Sequence, residues 1–484
     1  MINRLVLITG VLIFLGVNTI TLHDGHNWGD DFAQYIHNAQ NLIEGRPYAT
    51  PLMLEESVTV APGFPLLIMP ILKLFGLDFP LLKFLNILCW LMTAGGLYVI
   101  ARGSLDKKQA GLVFFAFLSS PAFFTFKQNV LADIPFACFI TTALAVWEIR
   151  EACPPQARRK KILLLIAALF FTGYAFLIKP AGALLFSSLL IFFFVKKKSP
   201  RLGAGVIIWF FLLFSFQKIL GVTTTQHYER IDLSWLGWIR SVVLNIPTLM
   251  VFIYKFFMPF VPALWPKLDT LCFFAFGIAS FVLLPCLIIA LFKKAKRKTL
   301  RLWETFLFVY VLALILWPIP NGRYVYPILG LFLLAVIEAF LSLAYRSKIP
   351  INGKTCVAVG LAALIGLNMI YTARIFNFND DVINQPPTRA LIHWMKTETS
   401  PHERFMFRHP RALGLLTGRR GTPLWMHPGD LPFTAERIEK FRIDYVIISR
   451  DQAGPLMNQL AASGLRIVPA GQNPGYKILK IIRP

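Results

Sequence analysis

Apolar runs long enough to cross a lipid bilayer recur along most of this chain. A helix needs about 20 residues to span the hydrocarbon core, and eleven runs approach that length. Only 15% of the residues are charged, against about 25% in a typical soluble domain. We therefore predict an all-α polytopic membrane bundle of about 11 transmembrane helices. The predicted spans lie near Leu5–Thr21, Leu81–Ala101, Gln109–Phe124, Ile134–Ile149, Ile162–Ile178, Ala181–Val195, Leu202–Leu220, Leu268–Phe292, Leu302–Trp317, Val325–Tyr345 and Cys356–Thr372.

Basic residues are concentrated in alternate connections between these spans. Together these connections hold 21 basic and 2 acidic residues. Because Lys and Arg remain on the cytoplasmic side of a membrane, the pattern predicts which side of the bundle is inside. It also accounts for most of the formal net charge of +24, so the charge indicates topology and not a nucleic-acid partner. The connections are Arg102–Lys108, Arg150–Lys161, Lys196–Arg201, Lys293–Arg301 and Arg346–Lys354.

Two further apolar stretches, Ala61–Gly76 and Pro247–Pro266, are interrupted by prolines and carry a lysine. Counting either stretch as a span would move later basic connections to the outer side. Re-entrant or interfacial helices accommodate Pro and Gly where other parts of the protein cover the backbone. We therefore expect both stretches to form such helices on the non-cytoplasmic face.

The composition changes after the last span, and the remaining residues contain no spanning segment. Pro387–Thr399 has apolar residues at helical spacing, whereas Arg404–Pro410, Ile443–Ser449 and Gly475–Ile482 are short apolar runs typical of buried strands. Alternating helices and strands predict a small α/β domain. We divide the chain into a transmembrane domain, residues 1–373, and this C-terminal domain, residues 374–484. An odd number of spans from a cytoplasmic N-terminus places the C-terminal domain outside.

Charged residues at span edges gather on the same predicted outer face. Asp30 and Asp31 lie in the first outer loop, and Asp133 lies in the second at the start of a span. Lys179 and Arg323 lie in the third and fifth outer loops. Charges at the membrane edge are costly to desolvate, so their accumulation on one face indicates a site.

Each of these residues also has a purely structural explanation. Asp30 and Asp31 are suited to cap the helix that follows them, where acidic residues favour the helix dipole. Lys179 or Arg323 is suited to anchor a span by extending its charge to the interface. Taken together, however, a carboxylate beside cations suits transfer from a lipid-linked phosphate donor. The carboxylate accepts a proton from an acceptor hydroxyl, and the cations stabilise the departing phosphate.

Four motifs resemble those of the GT-C superfamily of polytopic glycosyltransferases, in the branch with protein O-mannosyltransferases and the lipid A aminoarabinose transferase. The acidic pair is followed by Tyr35, Ala39, Asn41 and EGRPY. The run APGFPLL is similar to the branch's Pro-Pro-Gly-Tyr-Pro-Leu-Leu. LADIPF resembles its second-loop Asp-x-Pro pattern, and IKPAG and GRYVYP resemble its later Lys and Arg-Tyr-x-x-Pro positions. The motifs extend over about the first 330 residues.

This resemblance implies the GT-C fold and an inverting transfer from a polyprenyl-phosphate sugar at the periplasmic face of the cell inner membrane. Aligned on Tyr35 and Gly45, the family pattern makes Asp31 the catalytic base and Asp30 its neighbour. In the family the acidic partner usually follows the key aspartate, whereas Phe32 follows Asp31 here. Which of the two aspartates acts is therefore left open.

The resemblance assigns roles to four further residues. Asp133 positions the acceptor or the base, and the donor phosphate is bound by Lys179, Arg323 and Tyr324. The implied partners are a polyprenyl-phosphate sugar donor, a glycolipid, glycan or protein acceptor, and the lipid bilayer. The resemblance does not identify the sugar or the acceptor.

Two histidines, His23 and His26, precede the acidic pair, and with Asp24 and that pair they have the side-chain types of a metal site. We expect no metal and no other cofactor, because the resembling branch does not generally need one, and a divalent cation is the alternative. The basic segment HERFMFRHPR, residues 402–411, is expected to be a solvated surface of the C-terminal domain. Its alternative role is contact with a phosphorylated or acidic acceptor glycan.

A second function class also fits a polytopic chain with charged outer loops. A lipid-linked saccharide transporter or flippase would use charged sites for binding alone and would carry them along its spans at mid-bilayer depth. The charges here lie at one face, which favours the transferase. A ligase or polymerase that uses a lipid diphosphate donor is a third hypothesis. It is expected to carry one large outer loop late in the bundle, and no such loop is apparent in the sequence.

Overall fold

The computed structural model contains a helical bundle followed by a mixed β-sheet near the C-terminus. The predicted span Leu268–Phe292 lies outside the described residues except for positions 289 and 292. The structure describes residues 4–48, 52–54, 60–197, 200–222, 234–259, 261, 289, 292–317, 321–346, 352–424, 431–450 and 465–483.

The helices of the bundle follow the apolar runs of the sequence. Short 3₁₀ helices at Pro180–Gly182 and Gly322–Ile328 directly precede the α-helices that begin at Ala183 and Leu329. In chain order the α-helices are α1 (Arg4–Ile20), α2 (Asp30–Ile43), α3 (Gly63–Phe75), α4 (Phe79–Ala101), α5 (Lys107–Leu118), α6 (Pro121–Phe126), α7 (Asp133–Ala152), α8 (Arg158–Ile178), α9 (Ala183–Val195), α10 (Pro200–Ile219), α11 (Trp235–Phe257), α12 (Leu302–Leu316), α13 (Leu329–Arg346), α14 (Gly353–Arg374), α15 (Pro386–Glu398), α16 (Pro410–Thr417) and α17 (Leu431–Lys440).

The predicted all-α polytopic bundle is confirmed, whereas the number of 11 spans stays a prediction. Every other predicted span coincides with a helix, although Gln109–Phe124 is divided between α5 and α6. In the described part of the chain, six helices are long and apolar enough to cross a membrane by length and composition. These are Phe79–Ala101, Arg158–Ile178, Pro200–Ile219, Ile239–Phe257, Gly322–Tyr345 and Gly353–Arg374, and the shorter apolar helices are Leu7–Ile20, Gly63–Phe75, Pro180–Val195 and Leu302–Leu316.

The predicted start at Pro247 is wrong, because α11 begins well before that residue and contains it. Residues 260 and 262–266 of the predicted stretch lie outside the described residues. The Asn245 side-chain amide donates hydrogen bonds to the carbonyls of Ile315 (2.8 Å) and Trp317 (2.6 Å), at the C-terminal end of α12. Further along α11, the Phe256 ring lies 5.4 Å from the Phe123 ring, at the start of α6. The second half of α11 therefore lies against the ends of other helices.

The end of the bundle at which α1, α8 and α12 finish and α7 and α13 begin is called the site end below. Buried lysines connect its elements. The Lys127 ammonium donates hydrogen bonds to the Asn18 side chain (2.9 Å) and to the Thr21 hydroxyl (2.6 Å). The Lys83 ammonium donates to the Gly25 carbonyl at 2.5 Å. These bonds hold the loop between α1 and α2 against α4 and the connection after α6.

The opposite end of the bundle is held together by charged side chains. Arg301 lies 2.8 Å from Glu148 and 3.5 Å from Glu338, measured between nitrogen and oxygen atoms. Lys294 contacts Glu304 and lies 3.5 Å from Glu338. The network joins α7, α12 and α13 to the basic connection that precedes α12. Arg301 and Lys294 each contact two glutamates. Such a network contributes more to stability than an isolated surface ion pair.

The C-terminal part forms a five-stranded sheet with strand order β2-β1-β3-β5-β4. Neighbouring strands are parallel on the β2-β1-β3 side and antiparallel on the β3-β5-β4 side. The predicted helix corresponds to α15, and the predicted strands to β1, β3 and β5. The sequence analysis did not identify β2 and β4. The strands are β1 (Phe405–Phe407), β2 (Gly421–Pro423), β3 (Tyr445–Ser449), β4 (Arg466–Gln472) and β5 (Tyr476–Ile482).

Candidate active site

The acidic pair begins α2, as its position before a helical sequence predicts. Two carboxylates in a first turn interact favourably with the positive end of the helix dipole. The apolar face of α2 is fully buried, with Phe32, Ile36 and Ala39 all 0% exposed. This packing fixes the rotation of α2 and therefore the directions in which Asp30 and Asp31 can extend.

Asp31 lies between two guanidinium groups. Its Oδ2 atom accepts a hydrogen bond from Arg323 Nη1 at 2.6 Å, and its Oδ1 atom lies 3.8 Å from Arg411 Nη1. Arg323 belongs to the 3₁₀ helix before α13, whose start is capped by the Asn321 side chain. Burial alone would raise the pKa of Asp31, but the two neighbouring arginines outweigh it and lower that pKa below its usual value. Asp31 is therefore an ionised carboxylate with a cation on each oxygen.

Asp133 and Lys179 form a second ion pair at the site end. The Lys179 ammonium lies 2.5 Å from Asp133 Oδ1, and the Asp133 side chain is only 2% exposed. Asp133 is the first residue of α7, and Lys179 directly follows α8. The Tyr324 ring links the two pairs, because its centroid is 5.6 Å from the Lys179 nitrogen and 5.7 Å from the Arg323 guanidinium carbon. The residues predicted to bind the donor phosphate are thus neighbours of both carboxylates.

Asp30 extends away from this cluster, toward the C-terminal domain. Its Oδ1 atom accepts a hydrogen bond from the backbone N–H of Ala412 at 3.2 Å, in the first turn of α16. Burial raises the pKa of Asp30 to about 7, although the Ala412 N–H and the Arg411 charge lower it in part. The geometry therefore gives Asp30 the structural role of a cap for α16 and leaves Asp31 beside the cations.

The C-terminal domain also contacts the loop that leads into α2. The Trp28 indole N–H donates a hydrogen bond to the Tyr476 hydroxyl at 2.9 Å. The Trp28 ring lies 5.1 Å from the Phe407 ring and is parallel to the His409 ring at 6.4 Å. Together with the Asp30 bond, these contacts place α16 directly over the acidic pair.

Arg411 was not singled out from the sequence as a site residue, although it ends the HERFMFRHPR segment. That segment divides in the structure, because His402 and Arg408 are exposed, whereas His409 packs on Trp28 and Arg411 reaches Asp31. The only signal in the sequence was the basic character of the segment. Part of the segment is therefore solvated surface, and Arg411 lies beside Asp31.

Two donor groups of the site have no hydrogen-bond partner among the described residues. These are the Nε atoms of Arg323 and Arg411, both of which are inaccessible to solvent. Buried donors of charged side chains are normally paired, so each guanidinium group keeps one donor that its contact with Asp31 does not use.

The two histidines before the acidic pair are engaged elsewhere. His23 Nε2 lies 2.8 Å from the Phe378 carbonyl oxygen, and His26 Nε2 accepts a hydrogen bond from the Val130 N–H at 2.9 Å. Burial lowers the pKa of His26 to about 4, which keeps its ring neutral. Across the described ranges, no three His, Cys, Asp or Glu side chains are grouped as metal ligands.

Comparisons with known proteins bear on the family and the fold of this chain. Residues 59–222 match the family model of dolichyl-phosphate-mannose-protein mannosyltransferases. No curated protein sequence matches the chain significantly. The crystal structure of apo ArnT from Cupriavidus metallidurans is similar over 98% of this chain and 97% of its own, with a TM-score of 0.61 and 14% identity. The complex of that protein with undecaprenyl phosphate gives the same values.

A second solved protein with a similar fold is the Archaeoglobus fulgidus oligosaccharyltransferase, tethered to an acceptor peptide. The similarity covers 95% of this chain and 71% of that one, with a TM-score of 0.56 and 14% identity. These proteins are glycosyltransferases of the GT-C fold. The present chain therefore has the GT-C fold of a multi-pass membrane protein, which confirms the fold that its motifs predict.

Proposed function

We propose that this GT-C-fold protein is a glycosyltransferase that moves one sugar from a polyprenyl-phosphate carrier to a hydroxyl of a glycolipid, glycan or protein. The main support is the cluster of Asp31, Arg323, Lys179 and Asp133, which come from four separate segments and meet at the site end. The similar ArnT structure with undecaprenyl phosphate supports a donor of the same chemical class.

The proposed reaction is a single displacement at the anomeric carbon. Asp31 accepts the proton of the acceptor hydroxyl as its oxygen attacks the anomeric carbon from the face opposite the phosphate. The bond between that carbon and the phosphate oxygen breaks, and its electron pair remains on the phosphate. Lys179 and Arg323 stabilise the growing negative charge. One displacement inverts the anomeric configuration.

Donor binding also prepares Asp31 for this role. In the structure the carboxylate is paired with Arg323 at 2.6 Å, which lowers its pKa and makes it a weak base. The donor phosphate competes for the same guanidinium group, since it is a diester with one negative charge that gains a second as the sugar leaves. As Arg323 turns to the phosphate, the pKa of Asp31 rises toward a value suited to accepting a proton. Asp133 holds Lys179 at the same time.

The proposed location is the cell inner membrane, with the site end facing the periplasm. The basic connections lie at the opposite end of the bundle, and such connections remain in the cytoplasm. The proposed C-terminal domain, residues 374–484, contacts the site end through Trp28 and Asp30, which supports a periplasmic location for it as well.

Deletion of the gene tests the function. We expect the mass of one envelope lipopolysaccharide, glycan or protein to fall by one sugar residue. Wild-type protein should restore that mass, and so should Glu44→Gln, a control in an exposed carboxylate of the same loop. Asp31→Asn should not restore it, because an amide cannot accept the proton. Full restoration by Asp31→Asn would exclude Asp31 as the base, and an unchanged mass after deletion would contradict the proposed function.

A further inference from the structure

Arg323 and Arg411 bind the same carboxylate but come from different parts of the chain. Arg323 is held by the bundle and contacts Asp31 Oδ2 at 2.6 Å, and Arg411 is held by the C-terminal domain and approaches Asp31 Oδ1 at 3.8 Å. The Arg411 side chain is only 20% exposed, so most of its length is packed. The two arginines therefore occupy opposite sides of Asp31.

We propose that Arg411 is a positioning residue that holds Asp31 while Arg323 turns to the donor phosphate. This inference rests on the function proposed above. The donor phosphate competes with Asp31 for the Arg323 guanidinium group, so the 2.6 Å bond to Asp31 weakens as Arg323 turns to the phosphate. When Arg323 transfers its hydrogen bond, Asp31 keeps a cation only if a second one is present. Arg411 supplies it, so the C-terminal domain is part of the active site.

The position of Arg411 follows from how α16 is docked. Asp30, next to Asp31 in the chain, accepts the N–H of Ala412, next to Arg411. This pairing of neighbours places the Arg411 side chain beside the Asp31 carboxylate. Trp28, in the loop before α2, also contacts Tyr476 and His409 of the C-terminal domain, and these contacts hold α16 in the same position. The docking thus places the Arg411 guanidinium group beside Asp31 Oδ1.

Other charged groups around Asp31 cannot replace Arg411. On α2 itself, Asp30 is a carboxyl group and supplies no cation, and burial raises the pKa of Tyr35, so Tyr35 stays neutral. Lys179, which follows α8, is bonded to Asp133 at 2.5 Å. Within the described residues, Arg411 is therefore the cation left for Asp31 once Arg323 has turned away.

The test compares sugar transfer by purified wild-type protein, Arg411→Gln, Arg411→Lys and Arg420→Gln in lipid nanodiscs. Arg420 is an exposed arginine of the same domain and serves as the matched control. A synthetic polyprenyl-phosphate sugar is the probe. For Arg411→Gln we expect kcat to fall about 10- to 100-fold, because a carboxylate misplaced by about 1 Å costs up to that factor. The donor KM should change less than about twofold, since only uniform binding changes KM alone.

The pH dependence provides a readout that a merely structural role would not change. Loss of an opposite charge within about 4 Å raises a carboxylate pKa by at least about one unit. The acid limb of the kcat profile should therefore move up by about one pH unit in Arg411→Gln. It should stay at the wild-type position in Arg411→Lys and Arg420→Gln.

Each outcome of this experiment decides the inference. An unchanged kcat and acid limb in Arg411→Gln would overturn it, and so would a raised donor KM with unchanged kcat, which would make Arg411 a donor ligand. If Arg411→Gln is recovered unfolded, Arg411→Lys carries the test, because an acid limb displaced despite the retained charge would also overturn it. A wild-type protein that transfers no sugar would instead contradict the proposed function.

Discussion

Replacing Lys179 with Met separates the structural from the chemical role of the Asp133 pair. The substitution leaves the Asp133 carboxylate without its cation in a position where the side chain is 2% exposed. Breaking a buried pair on one side costs about 3–5 kcal/mol. Because Asp133 is the first residue of α7, the helix dipole returns up to about 1 kcal/mol. We therefore expect Lys179→Met to lower the free energy of unfolding by about 2–4 kcal/mol.

The double variant Lys179→Met, Asp133→Asn removes the stranded charge. It should recover most of the lost stability. Sugar transfer should be lost in both the single and the double variant, because both lack the cation that faces the donor phosphate. Thermal unfolding of the purified protein, followed by tryptophan fluorescence, measures the stability, and Lys73→Met provides an exposed-lysine control. A single variant as stable as wild type, or a double variant no more stable than the single one, would refute the reasoning.

Three further changes have distinct expected effects. Arg323→Gln removes a charged hydrogen-bond donor worth about 1.5–3 kcal/mol, so the donor KM, measured in a transfer assay, should rise roughly 10- to 100-fold, and an unchanged KM would exclude a phosphate contact. Burial raises the folded-state pKa of Asp30 to about 7, so the stability it contributes is present at low pH and lost as the pH rises toward 7. Asp30→Asn should therefore make the thermal midpoint less dependent on pH between about pH 5 and 7. An unchanged dependence of the midpoint on pH would contradict that pKa. Arg301→Gln strands Glu148 and leaves Glu338 with Lys294 alone at the opposite end of the bundle, so it should lower the thermal midpoint with the donor KM unchanged, and a changed KM would indicate coupling between the two ends.

The helices of the bundle were predictable because hydrophobic length is a local property of the sequence. The side on which Asp31, Asp133, Lys179 and Arg323 lie followed from the basic connections. Their pairing did not, because Asp31 and Arg323 are 292 positions apart and Asp133 and Lys179 are 46 positions apart. Only the packing of α2, α7 and α8 determines which carboxylate meets which cation.

The different contacts of Asp30 and Asp31 depend on the C-terminal domain, which supplies Ala412 and Arg411. Its docking depends on contacts such as the bond between Trp28 and Tyr476, which are 448 positions apart. No periodicity or motif in the sequence indicates that contact. For the same reason, Arg411 had no sequence signal beyond its basic segment.

Prolines account for two local errors in the sequence analysis. Pro247 was taken as a break, yet α11 continues through it, since a helix in apolar surroundings keeps its remaining backbone hydrogen bonds. Strand β4 contains Pro469 and has a register shift between Pro469 and Gly471, so it did not look like a strand. As the last strand in the order, β4 is an edge strand, where such a proline is tolerated.

The central claim is that Asp31 is the base for sugar transfer from a lipid phosphate. The most direct measurement is the rate at which purified protein transfers a labelled sugar from a synthetic polyprenyl-phosphate donor, comparing wild type with Asp31→Asn at equal folded amounts. We expect transfer by the wild type and a loss of at least about 100-fold in Asp31→Asn, the lower end of what general-base catalysis contributes. Equal rates for the two proteins would contradict the claim.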